Sequence, residues 1–247
     1  MKLTKIQVAF AEDVEQHRKK IIEAIQQTKN YEICIKAVNG RDLILQLLKN
    51  PKKQPSIILM DMQMPCCDGL LCTIICKWLF PKIKIIGLSA HTNGIVVGEF
   101  LAEGGDGFLS KLMLSRSLAY SIYKDENIFE NALSQLLNNS NSFIDVMLDD
   151  TGESYKNRLS THQIISKNCN YLKEEEIRYL QLNAAGFNRE EIAGIMNKGE
   201  STIQKKSDKL RKILSVQNHY DLIPISINMG VAKFFYCYQP APILVFD

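Results

Sequence analysis

Between Ile6 and Phe108 the apolar positions switch repeatedly between two periods. IQVAFA (Ile6–Ala11), YEICIKAV (Tyr31–Val38), SIILM (Ser56–Met60), KIIGL (Lys84–Leu88) and DGFLS (Asp106–Ser110) are short β-rich runs. The segments between them, Val14–Gln27, Asp42–Leu48, Gly69–Leu79 and Val96–Glu103, carry apolar residues at helical spacing, as Leu43, Leu47 and Leu48 do on one face. This alternation predicts an α/β domain, a doubly wound parallel five-stranded sheet with helices on both faces. The carboxyl ends of its strands then open on one crevice.

From Lys111 the pattern changes. Glu126–Leu137 reads as a helix with Ile128, Phe129, Leu133, Leu136 and Leu137 as its stripe. Asn138–Ser142 is polar, and few periodic apolar residues follow before Cys169, which predicts a linker. Helical composition returns at Leu172. Asn188 followed by Glu191 reads as a capping box opening a helix over Arg189–Met196, and Glu200–Leu214 reads as a second helix after a turn containing Gly199. Two short helices around a tight turn predict a small all-α helix-turn-helix domain. The expected organisation is a first domain over 1–140, a linker over 141–168, a helix-turn-helix domain over 169–234 and an apolar tail over 235–247. Pro240 and Pro242 do not suit a helix in that tail, which is expected to pack on this protein or a dimer mate, with docking to another protein as the alternative.

Of the 247 residues 46% are hydrophobic and 23% charged, the balance of a globular protein. No stretch has the roughly 18 apolar residues of a membrane span, and MKLTKIQVAF runs into Glu12 and Asp13 rather than a cleavage site, so the expected compartment is the cytoplasm. Seven cysteines, an odd number, point to reduced thiols. Cys72 and Cys76 share a helix face near Cys66 and Cys67, but without paired knuckles or nearby histidines they read better as small buried hydrophobes than as a zinc site.

The strand ends supply the chemistry. Glu12 and Asp13 close the first strand, Asp61 the third and Ser89 the fourth, and Lys111 follows the fifth. Singly, each is an ordinary loop, cap or solvated residue. Three carboxylates in one crevice repel one another unless a hard cation such as Mg²⁺ lies among them. A lysine and a hydroxyl aimed at the same place suit the oxygens of a phosphoryl group.

Over roughly Lys5–Asn138 the sequence resembles the receiver domains of bacterial two-component response regulators, whose fold is flavodoxin-like. The resemblance rests on Glu12-Asp13, LMDMQMPCCDG, GLSAH and GGDGFLSK. It implies that Asp61 accepts a phosphoryl group from a sensor histidine kinase. It also implies that Glu12, Asp13 and Asp61, with the backbone carbonyl of Gln63, hold Mg²⁺. Ser89 would be the switch hydroxyl, Lys111 the phosphate-binding lysine and Phe108 the aromatic that turns inward on activation, while Ala90 leaves the phosphoryl donor access. One departure is Leu112–Asp125, inserted before the last helix, which could lengthen that helix or disturb Lys111, with Lys124 as a rival lysine.

The net charge of +3 is small, yet Lys198–Lys212 alone holds six basic residues against two acidic ones. Ile203, Leu210 and Leu214 form the apolar face of that helix, leaving Gln204, Lys205, Lys206 and Lys209 outward for a DNA groove. Over about Tyr171–Ala232 the sequence also resembles the helix-turn-helix effector of the NarL and LuxR group, carried by Glu176, Gly186, Glu191, Ile192, Ala193, Thr202, Ile203 and Leu214. That resemblance implies a phosphate contact at Thr202 and a last short helix over Asp221–Met229 that often pairs effectors. Gly199 stands where the family usually has a Ser.

Together these readings describe a transcription regulator rather than an enzyme, in which phosphorylation controls homodimerisation and DNA binding. One alternative is an orphan regulator that binds DNA constitutively and uses its receiver for dimerisation. A hydrolase with Asp61 as nucleophile is the other, opposed by Gln63 standing where such enzymes tend to place a second acid.

Overall fold

In the computed structural model, residues 5–90, 94–138, 143–144, 160–161, 163, 165 and 171–238 are described. The five predicted strands are β1 (Ile6–Ala11), β2 (Tyr31–Ala37), β3 (Ile57–Asp61), β4 (Lys84–Ser89) and β5 (Gly107–Ser110). All pair in parallel in the order β2-β1-β3-β4-β5, and a two-residue β6 (Phe143–Ile144) joins the edge beside β5. That sixth strand lies within the predicted linker, most of which falls outside the described residues, as do His91, Pro240 and Pro242. Every residue of β3 is buried, because helices cover both faces of a parallel sheet.

Helices α1 (Glu15–Gln26), α2 (Gly40–Lys49), α3 (Gly69–Leu79) and α4 (Gly94–Ala102) alternate with the strands. The α2 helix begins before the predicted Asp42 because Asn39 caps it, its side chain accepting a hydrogen bond from Asp42 N at 2.9 Å. The insertion forms a separate unit: a 3₁₀ turn over Lys111–Leu114, then α5 (Arg116–Tyr123), ended by Lys124 in the left-handed conformation at φ 58°. The final helix of this α/β unit, α6 (Ile128–Asn138), follows. Extra length is absorbed after Lys111, so the lysine keeps its place at the end of β5.

Two-residue periodicity sends alternate strand side chains into two cores. Val8, Phe10 and Leu59 pack with Ile21, Ile25 and Leu133 on one face. Ala9, Ile58 and Met60 pack with Leu43, Leu71 and Phe100 on the other. The second core runs without interruption into the C-terminal helices α7 (Glu174–Ala184), α8 (Arg189–Met196), α9 (Glu200–Ile213) and α10 (Leu222–Asn228), taking in Tyr179, Ile192, Ile203 and Leu210.

Polar contacts seal this junction. Arg41 pairs with Glu191 and lies over the Phe187 ring at 5.6 Å, and Arg178 lies over Trp78 at 4.9 Å. Phe235, the first residue of the predicted tail, is buried here. The predicted thiols Cys67, Cys72 and Cys76 are buried among α2 and α3, with Cys72 Sγ 3.9 Å from Cys76 Sγ. Burial pushes the Cys67 and Cys72 thiols up, keeping them neutral. Cys66 is exposed.

Candidate functional site

The buried strand β3 delivers Asp61 to the crevice, and the next residues must turn away at once. Gly69 permits this: a Cβ there would lie 2.3 Å from the Asp61 carbonyl oxygen, so only glycine lets α3 start so close. Asp68 caps α3, its Oδ1 accepting from Leu70 N and Leu71 N at 3.1 Å each. On the other side, Arg18 of α1 donates through Nη1 to the carbonyl oxygens of Glu12 at 3.0 Å and Asp13 at 2.6 Å, fixing the acidic loop.

One carboxylate oxygen each from Glu12, Asp13 and Asp61 lies within 4.8 Å of the others. Lys111 joins them, its Nζ 2.9 Å from Asp61 Oδ1 and 2.8 Å from Glu12 Oε2. Burial drives the Asp61 carboxyl up to about 7, Lys111 opposing and Glu12 reinforcing that shift. Ser89 ends β4 buried, in register with Ser110 of β5. Gln63 N donates to Asp61 Oδ1 at 3.4 Å, placing that peptide at the pocket rim. Lys124 is directed elsewhere, donating to the Ser121 carbonyl at 2.9 Å.

The donor set suits a divalent cation. Asp13 Oδ1 is buried without a hydrogen-bond partner, and Glu12 Oε2 has only its ion pair with Lys111. A buried acceptor left unpaired, as Asp13 Oδ1 is, is costly unless a cation meets it.

Phe108 is fully buried and meets Phe100 edge-on at 5.4 Å. Gly87 makes room for it, since a Cβ there would stand 2.8 Å from the ring. The aromatic expected to turn inward is therefore already inside.

In the C-terminal domain both bonds of the predicted capping box form: Asn188 N donates to Glu191 Oε2, and Glu191 N to Asn188 Oδ1, each at 2.9 Å. Gly199 caps α9 with its carbonyl alone, accepting from Thr202 N at 2.9 Å. Thr202, Lys205 and Lys209 are exposed on α9. Gln204 and Lys206 are not fully outward as expected. Gln204 donates to Asp208 at 2.9 Å, and Lys206 folds back to Glu175 at 3.0 Å, because the acids opening α7 attract the basic helix. Glu176 likewise pairs with Lys209 at 2.7 Å, and Glu175 also with Lys198 at 3.4 Å. Lys206 and Lys198 hold the Glu175 carboxyl below its usual range.

Other participants escape sequence reading. His17, in the first turn of α1, places Nδ1 3.1 Å from Glu12 Oε1 and 3.2 Å from Lys111 Nζ. Burial and the Lys111 ammonium hold its pKa below the usual value. Lys233 is buried against Glu99 and Glu103, and Phe235 N donates to Asp68 Oδ2 at 2.5 Å. A lone lysine inside the apolar run GVAKFF was the one available signal, since a buried charge needs partners.

Residues 8–123 match the family model described as the response regulator receiver domain. YxjL of Bacillus subtilis, called an uncharacterized transcriptional regulatory protein, is 25% identical over 236 residues, covering 94% of this chain and 100% of the relative. The response regulator protein VraR of Staphylococcus epidermidis is 24% identical over 216 residues, covering 86% of this chain and 92% of its own length. A solved structure of the Salmonella typhimurium RcsB response regulator superposes with a TM-score of 0.51 at 21% identity, covering 90% of this chain and 98% of that one. That last likeness is one of fold. No helix among the described residues is long and apolar enough to cross a membrane.

Proposed function

We propose that this chain, whose residues 8–123 match the response regulator receiver domain, is a transcription regulator in which phosphorylation of Asp61 controls DNA binding by α8 and α9. The observation that carries the reading is Lys111 Nζ at 2.9 Å from Asp61 Oδ1, inside a cluster of three carboxylates at the strand ends. The domain boundaries proposed are receiver 1–140, linker 141–168, effector 169–234 and tail 235–247.

Glu12, Asp13 and Asp61, with the Gln63 backbone carbonyl, would hold Mg²⁺, which supplies positive charge to offset the acids and to attract phosphoryl oxygens. The Asp61 carboxylate attacks the phosphorus of a kinase phosphohistidine. A P–O bond forms, the P–N bond breaks, and the leaving imidazole takes a proton. Lys111 then exchanges its carboxylate partners for a phosphoryl oxygen, and the Ser89 hydroxyl donates to another. Both shifts pull on the ends of β4 and β5, whose neighbour Phe108 packs on Phe100 of α4. Because α4 also holds Lys233 through Glu99, the movement reaches the docked effector.

In the docked form α9 keeps Thr202 and Lys205 exposed, so regulation is read as a limit on pairing of effectors rather than as a cover over the groove-entering helix. Released effectors pair as a homodimer on a two-fold DNA site, with Thr202 at phosphate and Gln204, Lys205, Lys206 and Lys209 toward the groove. Phosphotransfer here is a switch in the cytoplasm and not a metabolic activity.

The test is binding of the full chain to DNA selected from a random pool, with and without Mg²⁺ and acetyl phosphate, alongside Asp61→Asn. Tighter binding on phosphorylation that disappears in the variant is expected. Equal binding in every sample overturns the switch.

A further inference from the structure

This inference rests on the reading of Asp61 as the phosphoacceptor. The segment after α10, residues 231–238, passes from one domain into the other. At its start it belongs to the effector: Gln181 Nε2 of α7 donates to the Val231 carbonyl at 3.2 Å, and Val231 N donates to the Ser226 carbonyl at 2.8 Å. From Lys233 onward it belongs to the receiver. Lys233 Nζ meets Glu99 Oε2 of α4 at 2.8 Å and Glu103 Oε1 just beyond that helix at 2.7 Å. Phe235 N donates to Asp68 Oδ2 at 2.5 Å, and its ring joins the core that holds Leu71 of α3 and Phe100 of α4. Val231, Ala232, Lys233 and Phe235 are all buried.

The groove that takes this segment has a defined chemistry. Asp68, Glu99 and Glu103 set three carboxylates around an apolar floor, which suits a cation followed closely by a large apolar side chain. Lys233 and Phe235 supply both, and they bind different elements, Lys233 at α4 and Phe235 at the start of α3. Two residues of backbone reach at most about 7 Å, so both anchors close only while α3 and α4 keep one spacing. Asp68 is tied in turn to the loop that follows Asp61: Gly69 N donates to the Met62 carbonyl at 3.3 Å, and Met62 N to the Leu88 carbonyl of β4 at 3.1 Å. A phosphoryl group that draws Ser89 and Lys111 inward shifts the end of β4, and α4 with it, against α3. One anchor then gives way.

We infer that Lys233–Phe235 is an intramolecular latch, a basic-aromatic strap seated in an acidic groove between α3 and α4, and that latch closure and phosphorylation of Asp61 exclude each other. The coupling is reciprocal: a strap that closes only on the unphosphorylated form opposes phosphorylation by the factor with which phosphorylation weakens the strap.

Equilibrium binding of beryllofluoride in the presence of Mg²⁺, a stable stand-in for the phosphoryl group, tests this on the full chain beside Lys233→Met and Phe235→Ala, which cut different anchors. Both variants are expected to bind about tenfold more tightly than the wild type. A synthetic peptide of residues 231–238, VAKFFYCY, is expected to lower the affinity of Lys233→Met again. Circular dichroism confirms that each variant is folded. Equal affinity in the wild type and both variants, or a gain that the peptide does not reverse, overturns the latch and leaves Asp61 as the acceptor. Absence of binding in all three proteins overturns the phosphoacceptor reading and the latch with it.

Discussion

Lys233 Nζ lies 2.8 Å from Glu99 Oε2, joining the segment after α10 to the receiver helix α4 in a site where both side chains are almost wholly buried. Glu103 adds a second carboxylate at 2.7 Å and is itself bonded by Thr161 N at 2.6 Å and Thr161 Oγ1 at 2.8 Å. Removing Lys233 breaks a buried ion pair with two carboxylates, which costs about 3–5 kcal/mol. Lys233→Met is therefore expected to undock the effector. Trp78, the single tryptophan, reports this directly because Arg178 covers its ring. A red-shifted Trp78 emission and a lower Tm are expected, with recovery when Glu99→Gln and Glu103→Gln are added. Unchanged emission in the single variant would show that docking does not depend on this contact.

Asp68 links the same junction to the loop that follows Asp61, accepting from Leu70 N and Leu71 N on one oxygen and Phe235 N on the other. Burial raises its carboxyl to about 7 despite those three donors. An acid raised on folding stabilises the native state fully below its unfolded pKa of about 3.9, and loses that contribution as pH climbs through the folded value. Denaturation midpoints are expected to decline between about pH 4 and 7, less steeply in Asp68→Asn, where Asp61 is the raised carboxyl that remains. Identical slopes in the two proteins would remove Asp68 as its source.

Magnesium should act through the acid cluster. Ligand binding to the native state alone stabilises it by about 2.7 kcal/mol at a hundredfold excess over Kd. A Tm rise with Mg²⁺ is expected for the wild type, and a much smaller one for Asp61→Asn, which loses one of the three grouped carboxylates. Equal shifts would place the ion elsewhere.

The acids opening α7 restrain the basic helix. Glu175→Gln frees Lys198 and Lys206, its partners at 3.4 and 3.0 Å, so tighter DNA binding with a steeper salt dependence is expected. Lys205→Ala, removing an exposed lysine, is expected to weaken binding and reduce the slope by about one unit. Titration at several salt concentrations separates the two, and an unchanged slope in both would show that these groups do not meet phosphates.

Local sequence was sufficient wherever one short-range rule decided the outcome. Two-residue and helical periodicity placed β1 to β5 and their helices, because each strand and helix must hide its own apolar positions. Asn188 and Glu191 announced α8, since a capping box closes within four residues. Asp61, Glu12 and Lys111 were legible because the strand ends of a parallel sheet must converge. Tertiary structure alone decided what depends on elements far apart in the chain. The meeting of Lys233 with Glu99, the Phe235 N bond to Asp68, and the pairing of Lys206 with Glu175 join surfaces whose approach no local pattern encodes. His17 belongs with them: its spacing puts it one turn after Asp13, but only the packing of α1 against the pocket turns that position into a contact with Glu12 and Lys111.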